Sequence, residues 1–74
     1  MDFRSFLRSK REALGISQNK FAKLVGITQS YYNGVERGEI KNPPSEEILD
    51  KFVTTLLLTP EEGNKLKYLA AIER

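Results

Sequence analysis

Neither cysteine nor histidine occurs among the 74 residues of this sequence, and tryptophan is absent as well. Without thiols no disulfide can staple a small core, and without thiolate or imidazole the usual ligands of a structural zinc site are missing. The same absences remove the commonest catalytic nucleophile, base and proton shuttle, so catalysis is a disfavoured reading from the outset. No apolar run approaches the roughly 20 residues that a membrane-spanning helix requires. The N-terminus reads as an amphipathic helix rather than a signal peptide, so the expected location is cytoplasmic, with no membrane partner. A chain of this length fits one domain over residues 1–74 and buries only about 60% of its unfolded surface. Its stability must therefore come from well-packed helices, from oligomerisation, or from both.

Neither sign of charge is in large excess: the formal net charge is +2. It is unevenly placed, however. Residues 1–41 carry eight Lys/Arg against four Asp/Glu, a balance of +4, and residues 42–74 carry four against six, a balance of −2. A basic N-terminal half fits a polyanionic partner on that side, although an asymmetry of this size carries little weight alone.

What the sequence does contain is helical periodicity broken by glycine and proline. Asp2 to Leu14 repeats apolar residues at Phe3, Phe6, Leu7 and Leu14 and ends before Gly15, which predicts a first helix. Ser17 is a good N-cap for a short helix over Gln18 to Val25, stopped by Gly26. Thr28 caps a third helix, Gln29 to Arg37, with Tyr31, Tyr32 and Val35 on one side and Gly38 after it. Pro43 and Pro44 force the next stretch into a loop. Ser45, Glu46 and Glu47 open a fourth helix carrying Ile48, Leu49, Phe52, Val53, Leu56 and Leu57, read as the centre of the core. Thr59-Pro60-Glu61-Glu62 combines an N-cap, an N1 proline and a capping-box glutamate. A fifth helix is therefore predicted over 59–74, with Leu66, Leu69, Ala70 and Ile72 on its apolar face. The core helices lie within 2–58. Because the fifth helix meets the chain end without a C-cap, the sequence is read as the front part of a longer protein.

The second and third helices are separated only by Gly26-Ile27-Thr28, an abrupt turn that makes three demands. Ala22 allows the helices to approach closely, Gly26 accepts a positive φ, and Ile27 with Val35 plugs the angle between them. With the apolar face of the third helix inward, Gln29, Ser30, Asn33, Gly34 and Arg37 form an outer arc of amides, a hydroxyl and a guanidinium without a carboxylate. Amides pair bidentately with adenine, and arginine with guanine or phosphate. Such an arc also suits any solvent-facing helix. The same helical phases put Arg11 and Glu36 on the inner flanks of the first and third helices, where they are expected to pair.

The spacing Gln18, Phe21-Ala22, Val25-Gly26, Tyr32, Val35 resembles the helix-turn-helix of the lambdoid phage repressors, Cro proteins and the wider Xre family. Lys10-Arg11, Glu36-Arg37-Gly38 and Asn42-Pro43 extend the resemblance from Phe3 to about Leu58. Thr59 to Ala70 looks like the fifth helix of some Gram-positive members. The resemblance implies an all-α, five-helix lambda-repressor-like domain that binds double-stranded DNA as a transcriptional regulator. The third helix would enter the major groove, and a homodimer would sit on a palindromic operator. It further implies that Gln29 and Ser30 read bases, with Thr28 and Asn33 supporting them. Gln18 at the start of the second helix would meet a phosphate, and Arg37, Lys41 and Asn42 would follow the backbone. Lys20 and Lys23 are secondary candidates. The Arg11–Glu36 pair matches an inter-helix salt bridge of the phage repressors.

Three residues depart from that pattern. Gly34 stands where phage members often place a base-reading side chain, so the helix backbone comes near a base pair or that pair goes unread. Tyr32 occupies a usually aliphatic position, and its hydroxyl is expected to emerge from the core toward a phosphate or a polar neighbour; Tyr31 could reach a phosphate in the same way. Pro44 replaces a minor-groove arginine, so no minor-groove contact is expected. No catalytic residue, metal ligand set or cofactor is identified, and Glu46-Glu47 and Glu61-Glu62 are better explained as favourable charges at helix N-termini. The alternative function is a protein-interaction module, such as an antitoxin or anti-repressor, built on the same fold.

Overall fold

The computed structural model describes residues 2–72, which form five helices: α1 (Phe3–Ala13), α2 (Gln18–Val25), α3 (Gln29–Arg37), α4 (Glu46–Thr55) and α5 (Pro60–Ile72). The expected end of the fifth helix at residues 73–74 lies outside the described residues. All five helices begin on a side-chain cap. Asp2 Oδ1 accepts from the Ser5 N–H at 2.8 Å, and the hydroxyls of Ser17, Thr28 and Ser45 accept from the N–H groups of Lys20, Tyr31 and Ile48. At α5 the capping box is reciprocal: Thr59 N–H donates to Glu62 Oε1 at 3.0 Å, and Glu62 N–H donates to Thr59 Oγ1 at 3.2 Å. Each cap satisfies donors that the first helical turn leaves unpaired.

Side chains from every helix meet in one core. Phe21 of α2, Tyr32 of α3 and Phe52 of α4 form a ring cluster at its centre, with centroids 4.9, 5.5 and 5.8 Å apart. Leu7 of α1 and Leu66 of α5 are likewise fully buried. α2 packs on α3 and α4, α1 packs on α3, and α5 closes the bundle against α1 and α4. The sharp reversal between α2 and α3 runs through Gly26 at φ 90°, a left-handed conformation in which any Cβ is strained although the space beside it is open. Ala22 is fully buried at this corner, and Ile27 packs against the core from its edge.

Three expected core positions lie elsewhere. α4 ends at Thr55 rather than continuing through Leu57, because Leu57 takes the left-handed conformation at φ 57° and turns its side chain outward, leaving it 79% exposed. The Leu58 N–H then donates back to the Val53 carbonyl at 3.1 Å, which closes the helix and redirects the chain toward Thr59. Leu14 is the C-cap of α1 and is exposed, and Ile72 is exposed on the outer side of α5. Helical periodicity alone places all three on inner faces, but the first two lie at or beyond the points where their helices stop.

Candidate nucleic-acid interface

α3 is fixed from behind and open in front. Its inner face is anchored by Tyr32 and Val35 in the core and by Glu36, whose side chain is 2% exposed. Glu36 Oε2 accepts from Arg11 Nε at 2.7 Å and Oε1 from Arg11 Nη2 at 3.2 Å, while Arg11 Nη1 donates to the Ile16 carbonyl at 2.7 Å. Arginine and glutamate thus form a two-pronged pair between α1 and α3, shielded from water on both sides. Burial pushes the Glu36 carboxyl up, yet hydrogen bonding from Arg11 and Gln18 and the nearby Tyr32 hydroxyl outweigh it, and the group sits below the usual carboxylate range. Glu36 is the one acidic residue of α3, and its inward turn leaves the outer face of the helix without a carboxylate.

The Tyr32 hydroxyl does not emerge from the core as expected. The residue is fully buried, and its hydroxyl lies beside Glu36 and Arg11 without a well-formed hydrogen bond. Burial, then the adjacent carboxylate, raises its pKa, so the phenol stays protonated. Tyr31 is half-buried against the edge of the core, and this burial raises its pKa too.

On the outer side Thr28, Gln29 and Ser30 are exposed together at the N-terminal end of α3. The Thr28 hydroxyl accepts from the Tyr31 N–H at 3.1 Å, which leaves its hydrogen able to donate outward. Asn33 is half-buried, with its Oδ1 enclosed and unpartnered, so only one end of its amide faces outward. A bidentate pair with adenine needs both ends, which limits Asn33 in this conformation to single hydrogen bonds. Gln18 Nε2 donates to Glu36 Oε1 at 2.9 Å, so one of its two amide hydrogens is engaged within the protein. Its own N–H and that of Asn19 take no acceptor among the described residues and mark the open start of α2. Lys20 and Lys23 are exposed on α2.

Gly34 is not on the outer surface. It is buried under Ile40, and a Cβ at Gly34 would lie 3.1 Å from Ile40 Cδ1. The loop after α3 folds back to make this contact. Gly38 reverses the chain at φ 78°, the Glu39 N–H donates to the Gly34 carbonyl at 2.9 Å, and Arg4 Nη1 donates to the Arg37 carbonyl at 2.9 Å. Lys41 and Asn42 follow on the exposed loop, while Pro44 is buried. Arg37 is exposed and its Nε lies 3.3 Å from Glu39 Oε1. Arg4 and Ile40 therefore join the arc formed by α3 and its loop, and sequence reasoning missed both. A basic residue in the first turn of α1 carries no local sign of its reach to the end of α3, and an isoleucine in a polar loop reads as incidental.

Among the described residues no group of acidic side chains is arranged to hold a metal ion, and no helix is long and apolar enough to cross a membrane. A family model described as helix-turn-helix matches residues 7–62, from within α1 to the first turn of α5. No curated protein and no solved structure matches the chain.

Proposed function

The chain belongs to the helix-turn-helix family of Xre and lambda-repressor-like regulators, and on that premise we propose that it binds double-stranded DNA sequence-specifically through α3. The family is one of DNA-binding transcription regulators. The observation that carries the finer reading is the orientation of α3: Gln29 and Ser30 are exposed beside Thr28, while Glu36, which would repel phosphates, is folded into the core. Gln29 and Ser30 read base edges at the N-terminal end of the helix in the major groove. Thr28 and Asn33 add single hydrogen bonds, and Gln18 with the free N–H groups of the α2 start binds a phosphate. Arg37, Lys41, Asn42 and Tyr31 position the domain on the backbone. The described residues span 26 × 26 × 21 Å. One copy carries a single recognition helix and cannot span two major-groove faces about 34 Å apart, so the reading includes a homodimer that sets two such helices on a palindromic operator. α4 and α5 would supply the contact between copies.

Gln29→Ala provides the test. A good bidentate base contact is worth about 1 to 3 kcal/mol, so the variant's preference for the selected operator over random DNA should fall by roughly 5- to 150-fold. Its helical circular dichroism should not change. An unaltered preference removes Gln29 from the reading residues.

A further inference from the structure

We propose that Ile40, a loop residue outside the recognition helix, is a specificity residue whose side chain meets the 5-methyl group of a thymine in the major groove. The inference rests on the reading of α3 as the recognition helix and names a further determinant of the same interface. Ser30, Gly34 and Arg37 are neighbours along one stripe of α3, at spacings of four and three residues. Gly34 contributes no side chain to that stripe, yet the position is not vacant. Ile40 Cδ1 and Cγ1 lie 3.1 and 3.2 Å from where a Gly34 Cβ would stand. The loop thus lends α3 an aliphatic side chain where its own sequence has none.

Ile40 is held there rather than draped. The Glu39 N–H to Gly34 carbonyl bond fixes the residue before it, and Arg4 ties the end of α3 on the same side. The residue is nevertheless 38% exposed, among the exposed polar residues Glu39, Lys41 and Asn42. An isoleucine can neither donate nor accept a hydrogen bond. The one apolar group on the major-groove edges of the bases is the thymine methyl, so that is what such a surface can recognise. This contact also gives Gly34 a role: even an alanine Cβ there would stand closer to Ile40 than ordinary van der Waals contact, so Ile40 would have to give way by a few tenths of an ångström.

The experiment deletes the methyl and nothing else. With the full chain, the preferred duplex is first selected from a random library. Each thymine of one half-site is then replaced by deoxyuridine, and affinities are measured for the wild type and for Ile40→Ala. Burying one methyl is worth about 0.8 kcal/mol, or roughly fourfold in Kd. The expected result is one thymine whose replacement weakens the wild type about fourfold and Ile40→Ala less than twofold. Ile40→Val, which keeps a branched aliphatic side chain, should retain more of that coupling than Ile40→Ala, so a general collapse of the loop cannot imitate the effect. If a preferred sequence exists but no thymine behaves in this way, or both proteins lose equally, Ile40 is only a cover for Gly34 and the inference falls while recognition by α3 stands. If no sequence is preferred, α3 is not a recognition helix and both readings fall.

Discussion

Glu36 is the most heavily engaged polar side chain of the interface region, accepting from Arg11 twice and from Gln18 once, with the Tyr32 hydroxyl alongside. Its removal leaves the Arg11 guanidinium inside the fold with only the Ile16 carbonyl as partner. Stranding a buried charge costs about 3 to 5 kcal/mol, whereas an exposed pair is worth about 0 to 1. Glu36→Ala should therefore cost several kcal/mol in urea unfolding, a large part of the total for a domain this small. Adding Arg11→Met should recover much of the loss, though not all, because Ile16 and Gln18 still lose their partners. Losses under about 1 kcal/mol for both single changes would show the pair to be decorative. Acid should act through the same group. The folded carboxyl titrates below its ordinary value of 4.5, so its contribution is complete above that pH and is lost as pH falls through the lower, folded value. Asp2 and Glu62 are also held low, by Ser5 and by Lys10, so the acid response of the wild type alone is ambiguous. The gap in urea midpoint between wild type and Glu36→Gln isolates Glu36. It should be constant from pH 7 to about 5 and shrink toward pH 3; a gap that stays constant to pH 3 removes Glu36 from the acid response.

At the scale of elements, α2 and α3 follow the expected bounds because their ends are written locally: a Ser or Thr cap at one end and a left-handed glycine at the other. The reciprocal capping box of α5 is legible for the same reason. The end of α4 is not, since it uses Leu57 where a glycine is usual, and an apolar residue in phase with the helix gives no sign of a stop. Gly34 is the converse case. Its side-chain partner, Ile40, arrives from a loop six residues on, and no periodicity reports a chain that folds back. Asn33 and Tyr32 were legible as residues of α3 but not in how far the fold would enclose their polar atoms. Leu57 yields a prediction of its own. A left-handed Cβ costs roughly 1 to 2 kcal/mol, partly offset by the greater freedom glycine has when unfolded, about 0.5 to 1. At 79% exposure little burial is lost, so Leu57→Gly should stabilise by about 0.5 to 1 kcal/mol in thermal or urea unfolding. A clear destabilisation would mean that the leucine is buried in the protein's working state, as at an interface between copies.

For the whole molecule, a net charge of +2 supplies little long-range attraction, so affinity for DNA must come from where the positive charges sit rather than from their sum. Those at the end of α3 are unequal. Arg37 already has a carboxylate, that of Glu39, at 3.3 Å, with both side chains more than 60% exposed. Such a pair is worth about 0 to 1 kcal/mol, but a phosphate must still compete with it. Lys41 has no ion pair among the described residues, so its charge is fully available. Each phosphate neutralised contributes about 0.9 to the slope of log K against log salt, through release of condensed cations. Lys41→Ala should therefore weaken binding to operator and random DNA alike and flatten that slope by about one unit. Arg37→Ala should flatten it by less, because Glu39 already offsets part of its charge. The discriminating change is Glu39→Gln, which frees Arg37 without adding a cation. It should raise affinity for all sequences and steepen the slope by up to one unit, and the gain should be smaller in an Arg37→Ala background, where only the relief of Glu39–phosphate repulsion remains. Fluorescence anisotropy titrations from about 50 to 200 mM salt would read the wild type and all four variants on one scale. If Lys41→Ala or Arg37→Ala altered base preference and left the slope alone, the residue concerned would be a base reader and the assignment of this loop to the phosphates would be wrong.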